Sequence, residues 1–242
     1  MAQPSMDRAH AAPATTAAGQ AHALLRRGAA QLGLPAASED RVLAQLDRYG
    51  ALLALWGQKM NLTAVAIQDP VSVAVQHFLD SMALVAQLPL AVTEQSLIDV
   101  GSGAGFPGVI CALLRPELRV TLVERVGKKA AFLMTVRREL GLSYAVESCD
   151  VERLIPAAVG AVPTGTPARG FDLVVSRAAI PVPRWLPLGK RLVAPGGRVF
   201  AMTSLHEPLP QPPEGLTLAG DMTYDVGAGP RRILSWCAAD AA

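Results

Sequence analysis

The chain has 242 residues, 51% of which are hydrophobic, and its formal net charge at pH 7 is only +2. Its longest apolar runs, such as residues 51–56, are far shorter than the roughly 18 residues that a membrane-spanning helix needs, so we expect no such helix. The small net charge does not mark the chain as a nucleic-acid binder, and any basic surface must be local.

The first residues and the cysteines are typical of a cytoplasmic protein. Residues 1–19 lack the basic start and apolar stretch of a signal peptide and have no helical period, so we expect a disordered tail. Cys111, Cys149 and Cys237 are scattered and odd in number, which favours reduced thiols over a disulfide framework or a metal knuckle. We expect a monomer that binds neither a membrane nor a metal.

Three N-terminal segments carry apolar residues at spacings of three and four, the pattern of an amphipathic helix. The predicted helices cover residues 20–32, 38–56 and 70–85. Ser38 is the expected N-cap of the second helix, with Glu39 and Asp40 in its first turn. Residues 20–90 are therefore predicted to form a helical cap.

From Gln95 onward, short apolar runs alternate with helical stretches, which predicts right-handed crossovers and a parallel sheet. The predicted strands are 97–100, 120–124, 144–147, 171–175, 198–202 and 232–237, and the predicted helices are 107–114 and 128–140. Residues 156–170 form a loop without a period, and residues 195–197 a turn before the fifth strand. Residues 95–242 are thus predicted to be one α/β domain.

The loop at residues 99–108 joins the first buried strand to a helix and contains four glycines, namely Gly101, Gly103, Gly105 and Gly108. Glycines remove the Cβ atoms that would block a close approach between backbone and ligand. In open α/β sheets such loops lie at the carboxyl ends of the strands, where ligands bind. The sequence therefore predicts a cofactor site here, with Phe106 as an apolar wall or as ordinary packing beneath the loop.

Residues 103–108 also satisfy GxGxxG, so an NAD-dependent oxidoreductase is an alternative. A pyrophosphate would be repelled by Asp99, which precedes the first glycine, whereas an acid in that place suits the ammonium or sulfonium of S-adenosylmethionine. Glu124, at the end of the second strand, is the expected acceptor for the ribose hydroxyls, although NAD sites share this feature. Asp99 thus favours S-adenosylmethionine.

Several segments occur in the order and spacing of one known family. They are Gln76-His77-Phe78-Leu79-Asp80-Ser81, residues 99–108, Gly127-Lys128-Lys129 with Phe132-Leu133, Ser176-Arg177-Ala178, and also Asn61-Leu62-Thr63. Over residues 40–205 the chain resembles the ribosomal small subunit methyltransferase G family, also called glucose-inhibited division protein B. The resemblance implies a class I methyltransferase, Rossmann-like in fold, with a seven-stranded, mostly parallel sheet, helices on both faces and an N-terminal helical cap.

The resemblance also implies a reaction, the transfer of a methyl group from S-adenosylmethionine to N7 of one guanosine in 16S ribosomal RNA. The implied cofactor contacts, added to Asp99, Gly103 and Gly105 of the loop, are Gly101, Phe106, Glu124, Val151, Glu152 and Arg177. The family continues into a Lys-Gly pair where this chain has Thr203-Ser204. A methyltransferase with another substrate therefore stays an alternative, as does a non-catalytic RNA-binding protein of the same fold.

The N7 lone pair of guanine carries no proton, so the reaction needs no general base and depends on alignment, with reacting atoms about 3 to 3.5 Å apart. Candidate catalytic residues are His77, Asp80 and Arg177. His77 and Asp80 share one side of a helix, where they form either a guanine pocket or a polar cluster that joins the cap to the α/β domain.

Five basic residues are candidates for RNA binding, with a solvated surface as the alternative interpretation. They are Arg125, Lys128, Lys129, Arg137 and Arg138. Smaller basic pairs lie near the two ends of the chain, at Arg26 with Arg27 and at Arg231 with Arg232.

Overall fold

A computed structural model describes residues 16–63, 67–90, 94–155 and 170–240. All but the last residue of the predicted loop at 156–170 and most of the predicted tail at 1–19 lie outside these ranges. The first helix begins at Ala17, so residues 17–19 are helical and the prediction of a tail there is wrong. Within the described part of the chain, no helix is both long and apolar enough to cross a membrane.

The N-terminal part of the chain is helical, as predicted. It contains α1 (Ala17–Gln31), a 3-10 turn (Pro35–Ser38), α2 (Asp40–Gly57), α3 (Pro70–Val73), a π-helical segment (Ala74–Leu79) and α4 (Asp80–Val85). The predicted N-cap is wrong, because Glu39 and not Ser38 precedes α2. Pro35 favours a tight turn that takes up Ser38, whose carbonyl oxygen accepts a hydrogen bond from Arg26 (2.6 Å).

Strands and helices alternate in the rest of the chain. The strands are β1 (Ser96–Val100), β2 (Arg119–Val123), β3 (Tyr144–Glu147), β4 (Phe171–Arg177), β5 (Val193–Ser204), β6 (Leu216–Tyr224) and β7 (Arg231–Ala238). The helices are α5 (Gly108–Leu114), α6 (Gly127–Leu140) and α7 (Val182–Leu192), and a 3-10 turn (Val151–Leu154) follows β3.

The strands form one seven-stranded sheet in the order β3-β2-β1-β4-β5-β7-β6. Strands β1 to β5 run parallel, and β7 is antiparallel to both of its neighbours. The prediction of a mostly parallel seven-stranded sheet is therefore confirmed. The carboxyl ends of β1, β2 and β4 meet at one edge, which is where parallel sheets bind ligands.

Helices cover both faces of this sheet. Leu97 and Leu173 pack on one face with the N-terminal helices, α5 and α6. Ile98 and Val174, their neighbours along the strands, pack on the other face with Trp185 of α7. Successive residues of a strand point to opposite faces, so each buried parallel strand contributes to both cores.

The C-terminal half departs from the sequence prediction in three places. Helix α7 and strand β6 were not predicted, and β5 begins at Val193 rather than at Arg198. The predicted turn at residues 195–197 lies inside β5 as an irregularity, because Phe171 pairs with Val193 while Leu173 pairs with Arg198.

Candidate active site

A cavity of about 710 Å³ opens at the carboxyl ends of β1, β2 and β4. This volume lies within the range of roughly 300 to 1,000 Å³ that is usual for small-molecule sites. Among the predicted cofactor residues, those on its wall are Gly101, Gly103, Phe106, Glu124, Val151, Glu152 and Arg177. Asp99 and Gly105 are not on the wall.

The glycines of the loop have different roles. Gly103, with a φ of 58°, faces open space, because a Cβ atom placed on it would find no atom nearer than 3.8 Å. On Gly101, with a φ of 76°, a Cβ atom would lie 2.5 Å from the Cβ of Ala179. Gly105 has a φ of 97° and packs beneath the loop, where a Cβ atom would lie 2.5 Å from the hydroxyl of Tyr49.

Glu124 ties the loop to the start of α6. This carboxylate is only 6% exposed, and its Oε2 accepts a hydrogen bond from the amide of Gly103 (2.9 Å) while its Oε1 accepts one from the amide of Val126 (2.8 Å). An ionised carboxylate has about four lone-pair sites. Glu124 therefore retains acceptor capacity for hydroxyl groups of a ligand in the cavity.

Asp99 lies beneath the loop and not in the cavity. Its Oδ2 accepts a hydrogen bond from the amide of Gly108 (3.0 Å) at the start of α5, and its Oδ1 has no hydrogen-bond partner among the described residues. Burial raises the pKa of Asp99 to about 6. The structure thus differs from the expectation of direct contact with a positive ligand group, because Asp99 is fully buried and binds the amide of Gly108.

Six backbone amides of the loop already donate hydrogen bonds within the protein. Those of Gly101 and Ser102 donate to the carbonyl of Val123, and those of Gly105 and Phe106 donate to the carbonyl of Ser102. The amides of Gly103 and Gly108 donate to Glu124 and Asp99. A pyrophosphate site needs free N–H groups pointing at the anion. This loop therefore suits a cationic or neutral ligand group better than a dinucleotide.

Phe106 and Arg177 form one wall of the cavity. The ring of Phe106 stacks almost parallel on that of His77, with centroids 4.5 Å apart, and also stacks on Tyr49 at 5.2 Å. The guanidinium carbon of Arg177 lies 5.4 Å from the centroid of the Phe106 ring. Phe106 therefore lines the cavity and also packs against the aromatic residues beneath the loop. Its ring contacts the guanidinium group of Arg177.

His77 and Asp80 lie behind Arg177, fully buried and away from the cavity wall. Arg177 donates to Oδ2 of Asp80 (2.8 Å) and to Nδ1 of His77 (2.9 Å). A guanidinium can only donate, so the neutral imidazole carries its proton on Nε2. Burial, together with the charges of Arg177 and Arg231, lowers the pKa of His77 to about 3. This arrangement supports the interpretation as a polar cluster that joins α4 to β4, since neither His77 nor Asp80 lines the cavity.

The five basic RNA-binding candidates do not form one surface. Arg125 and Lys129 line the cavity, and Lys128 lies beside them at the start of α6. Arg137 and Arg138 lie at the other end of this helix, about 13 Å away by helical rise. Arg137 donates to the carbonyl of Tyr144 (3.1 Å), and Arg138 pairs with Glu139 (3.2 Å).

Sequence reasoning missed Arg184 of α7, an exposed residue on the cavity wall with no ion-pair partner among the described residues. It was missed because the prolines around it hid the helix. The terminal basic pairs are partly neutralised, since Arg26, Arg231 and Arg232 form ion pairs with Asp40, Asp80 and Asp221.

A parallel sheet with an antiparallel end, a glycine loop after its first strand and an acid after its second define a class I methyltransferase. The fold is similar to a mutant of MtNAS in complex with S-adenosylmethionine (16% identity, TM-score 0.55, 90% of this chain and 77% of that one). It is also similar to yhhF from Escherichia coli, described as a candidate methyltransferase (16% identity, TM-score 0.52, 67% and 87%).

The chain belongs to the family rRNA small subunit methyltransferase G, whose family model matches residues 42–209. A relative of that name from Anaeromyxobacter sp. (strain Fw109-5) is 43% identical over 181 residues, which cover 75% of this chain and 77% of the relative. Another from Burkholderia pseudomallei (strain 1106a) is 42% identical over 185 residues, or 76% and 75%. The chain is thus an S-adenosylmethionine-dependent methyltransferase, and an NAD-dependent oxidoreductase is not favoured.

Proposed function

We propose that the enzyme methylates N7 of a guanosine in 16S ribosomal RNA, with S-adenosylmethionine held in the cavity beside the glycine loop. One observation carries the proposal. The cavity combines an anchored carboxylate, Glu124, with open backbone at Gly103 and a rim of exposed cations. The relatives' name, which specifies the small-subunit ribosomal RNA, supports this substrate.

The residues of the cavity fit the cofactor. Glu124 would accept hydrogen bonds from the ribose, while Val151 would contact the adenine as an apolar surface and Glu152 as a polar one. Gly101 and Gly103 would allow the methionine part to lie against the backbone. When bound, S-adenosylmethionine supplies an electrophilic methyl group on its sulfonium. Six of the loop amides already donate within the protein, which supports the placing of the sulfonium and not of a pyrophosphate against this backbone.

Arg177 would orient the donor or bind O6 of the guanine or a phosphate. Arginine usually reads guanine through O6 and N7 together, and here N7 must stay free to attack. Two of its nitrogens are already bound to Asp80 and His77, which leaves only part of the guanidinium to face the cavity. No residue has to remove a proton from N7, so these side chains act by alignment.

Arg125, Lys129 and Arg184 would bind phosphates that flank the target nucleotide. They come from three elements around the mouth of the cavity. RNA bases are read mainly when unpaired, so the target guanosine should be an exposed nucleotide that stacks into the cleft. A ribosomal substrate also favours a cytoplasmic location. The monomer expected from the sequence stays a prediction, which light scattering would check.

The test uses S-adenosylmethionine labelled in its methyl group, with 16S RNA transcribed in vitro and with 30S particles lacking the modification. After digestion to nucleosides, we expect the label in 7-methylguanosine from at least one substrate. Titration with S-adenosylhomocysteine and with NAD serves as the control for the cofactor. Label in another nucleoside, or binding of S-adenosylhomocysteine without transfer to either substrate, would contradict the proposed substrate.

A further inference from the structure

The cluster behind Arg177 reaches the antiparallel hairpin of β6 and β7, to which no role has been assigned. Asp80 of α4 is only 1% exposed, accepts hydrogen bonds from two side chains and forms an ion pair with a third. Its Oδ2 binds Arg177 (2.8 Å), and its Oδ1 accepts a hydrogen bond from the hydroxyl of Tyr224 (2.6 Å) and lies 3.5 Å from Nε of Arg231. One buried carboxylate therefore connects the hairpin with the cavity wall.

Tyr224 is the donor in its hydrogen bond with Asp80. Burial raises the pKa of its phenol, and so does the neighbouring Asp80 carboxylate, so the hydroxyl stays protonated. Its bond occupies Oδ1 and directs Oδ2 toward Arg177. Without that hydroxyl, Oδ1 would keep only Arg231, which is more exposed and pairs with Tyr224 across the hairpin. The carboxylate would then be free to turn toward Arg231 and away from Arg177.

The position of Arg177 in turn determines the shape of the cavity wall. Its side chain is 17% exposed and is held by Asp80, by Nδ1 of His77 and by the face of Phe106. Since a buried charge depends strongly on its partner, a shift of the Asp80 carboxylate changes where the guanidinium lies. Both Arg177 and Phe106 face the cavity, so this shift would reach a bound ligand.

We propose that Tyr224 is a positioning residue for the donor site, which acts through Asp80 on Arg177. The inference rests on the proposed function, since it assumes that S-adenosylmethionine lies against Arg177. It predicts that removal of a single hydroxyl on the hairpin weakens cofactor binding at a site that Tyr224 does not touch.

The test compares Tyr224→Phe with Tyr144→Phe by calorimetric titration with S-adenosylhomocysteine. Tyr144 is a matched control, because its buried hydroxyl donates to the carbonyl of Leu133 (2.8 Å) and its side chain is not on the cavity wall. We expect Tyr224→Phe to raise Kd about tenfold, a change of the size found for coupling between residues of one hydrogen-bond network, and Tyr144→Phe to change it less than twofold. A merely structural role would lower the number of binding sites, not the affinity.

A second pair of variants tests the route of the effect. In an Arg177→Met background, Tyr224→Phe should raise Kd less than twofold, because interacting residues are not additive. Equal affinities for Tyr224→Phe and Tyr144→Phe would overturn the inference, and so would a full tenfold effect in the Arg177→Met background. If the wild-type protein does not bind S-adenosylhomocysteine at all, the proposed function fails instead.

Discussion

Substitution of Gly105 by Ala separates the packing role of this glycine from the ligand-facing role of Gly103. The added methyl group would lie 2.5 Å from the hydroxyl of Tyr49, 2.6 Å from Cγ2 of Val109 and 3.0 Å from Cδ2 of Leu133. That hydroxyl is buried and donates to the carbonyl of Ala104 in the same loop. The neighbours therefore cannot move without breaking contacts on which the loop depends.

The expected loss of stability follows from two contributions. A left-handed backbone costs a residue with a Cβ atom about 1 to 2 kcal/mol. Overpacking of a filled site adds about 1 to 3 kcal/mol. Gly105→Ala should therefore lower the free energy of unfolding by about 2 to 5 kcal/mol, a large part of the roughly 5 to 15 kcal/mol of a typical domain. At Gly103, whose Cβ would meet nothing nearer than 3.8 Å, only the first contribution applies.

Urea unfolding and titration with S-adenosylhomocysteine measure the two effects separately. Gly103→Ala should lower the free energy of unfolding by about 1 to 2 kcal/mol but weaken the affinity more than tenfold, because its methyl group would stand in the cavity. Gly105→Ala should lower mainly the free energy of unfolding and change the affinity for S-adenosylhomocysteine much less. The reasoning is refuted if Gly105→Ala unfolds within about 1 kcal/mol of the wild type, or if Gly103→Ala binds with unchanged affinity.

Three further variants probe the buried ionisable groups of the site. In Glu124→Gln, an NH2 group replaces one of the two carboxylate oxygens that accept hydrogen bonds from backbone N–H groups. Calorimetry should therefore show at least a tenfold loss of S-adenosylhomocysteine affinity, and an unchanged Kd would contradict the role of Glu124. Burial raises the pKa of Asp99 from 3.8 to about 6, so the wild type should lose up to about 3 kcal/mol relative to Asp99→Asn as the pH rises from about 4 to 6 in urea unfolding. The pKa of His77 is lowered from 6.5 to about 3, so the stability of the wild type relative to His77→Gln should fall as the pH drops below 6.5, and a constant difference would refute this.

The strands that carry the site were predictable from the sequence to within about two residues. Strand β1 was expected at 97–100 and spans Ser96–Val100, and β3 was expected at 144–147 and spans Tyr144–Glu147. Strands buried on both faces form short continuous apolar runs, and the glycines and prolines between them mark their ends. Glu124 could be placed at a strand end for the same reason.

The elements near the C-terminus carry no such signal. Most residues of β6 are exposed or half-buried at the edge of the sheet, so its sequence lacks an apolar run. Helix α7 has Pro183 and Pro187 inside its bounds, and these residues normally argue against a helix. Its apolar side is nevertheless buried, and tertiary packing outweighs the low helix propensity.

The sequence could not show which way the polar side chains point. Asp99 was expected to face the ligand, but its carboxylate instead accepts a hydrogen bond from the first amide of α5. Asp80 meets Arg177 and Tyr224, which lie 97 and 144 residues further along the chain. Such contacts depend on how the sheet brings distant segments together, and spacing along one helix contains no information about them.

A reaction that needs no general base depends on the rigidity of the groups that surround the reacting atoms. This cavity is rigid for an identifiable reason. Its glycine loop is held from below by Asp99, from the side by Glu124 and from within by the carbonyl of Ser102. The amides of Gly105, Phe106 and Gly108 are buried, so a movement of the loop that broke their bonds would leave a donor unpaired at a cost of about 1 to 3 kcal/mol. The loop can therefore align a methyl donor without closing over it, which agrees with the phosphate contacts that we propose for Arg125, Lys129 and Arg184 on the cavity wall.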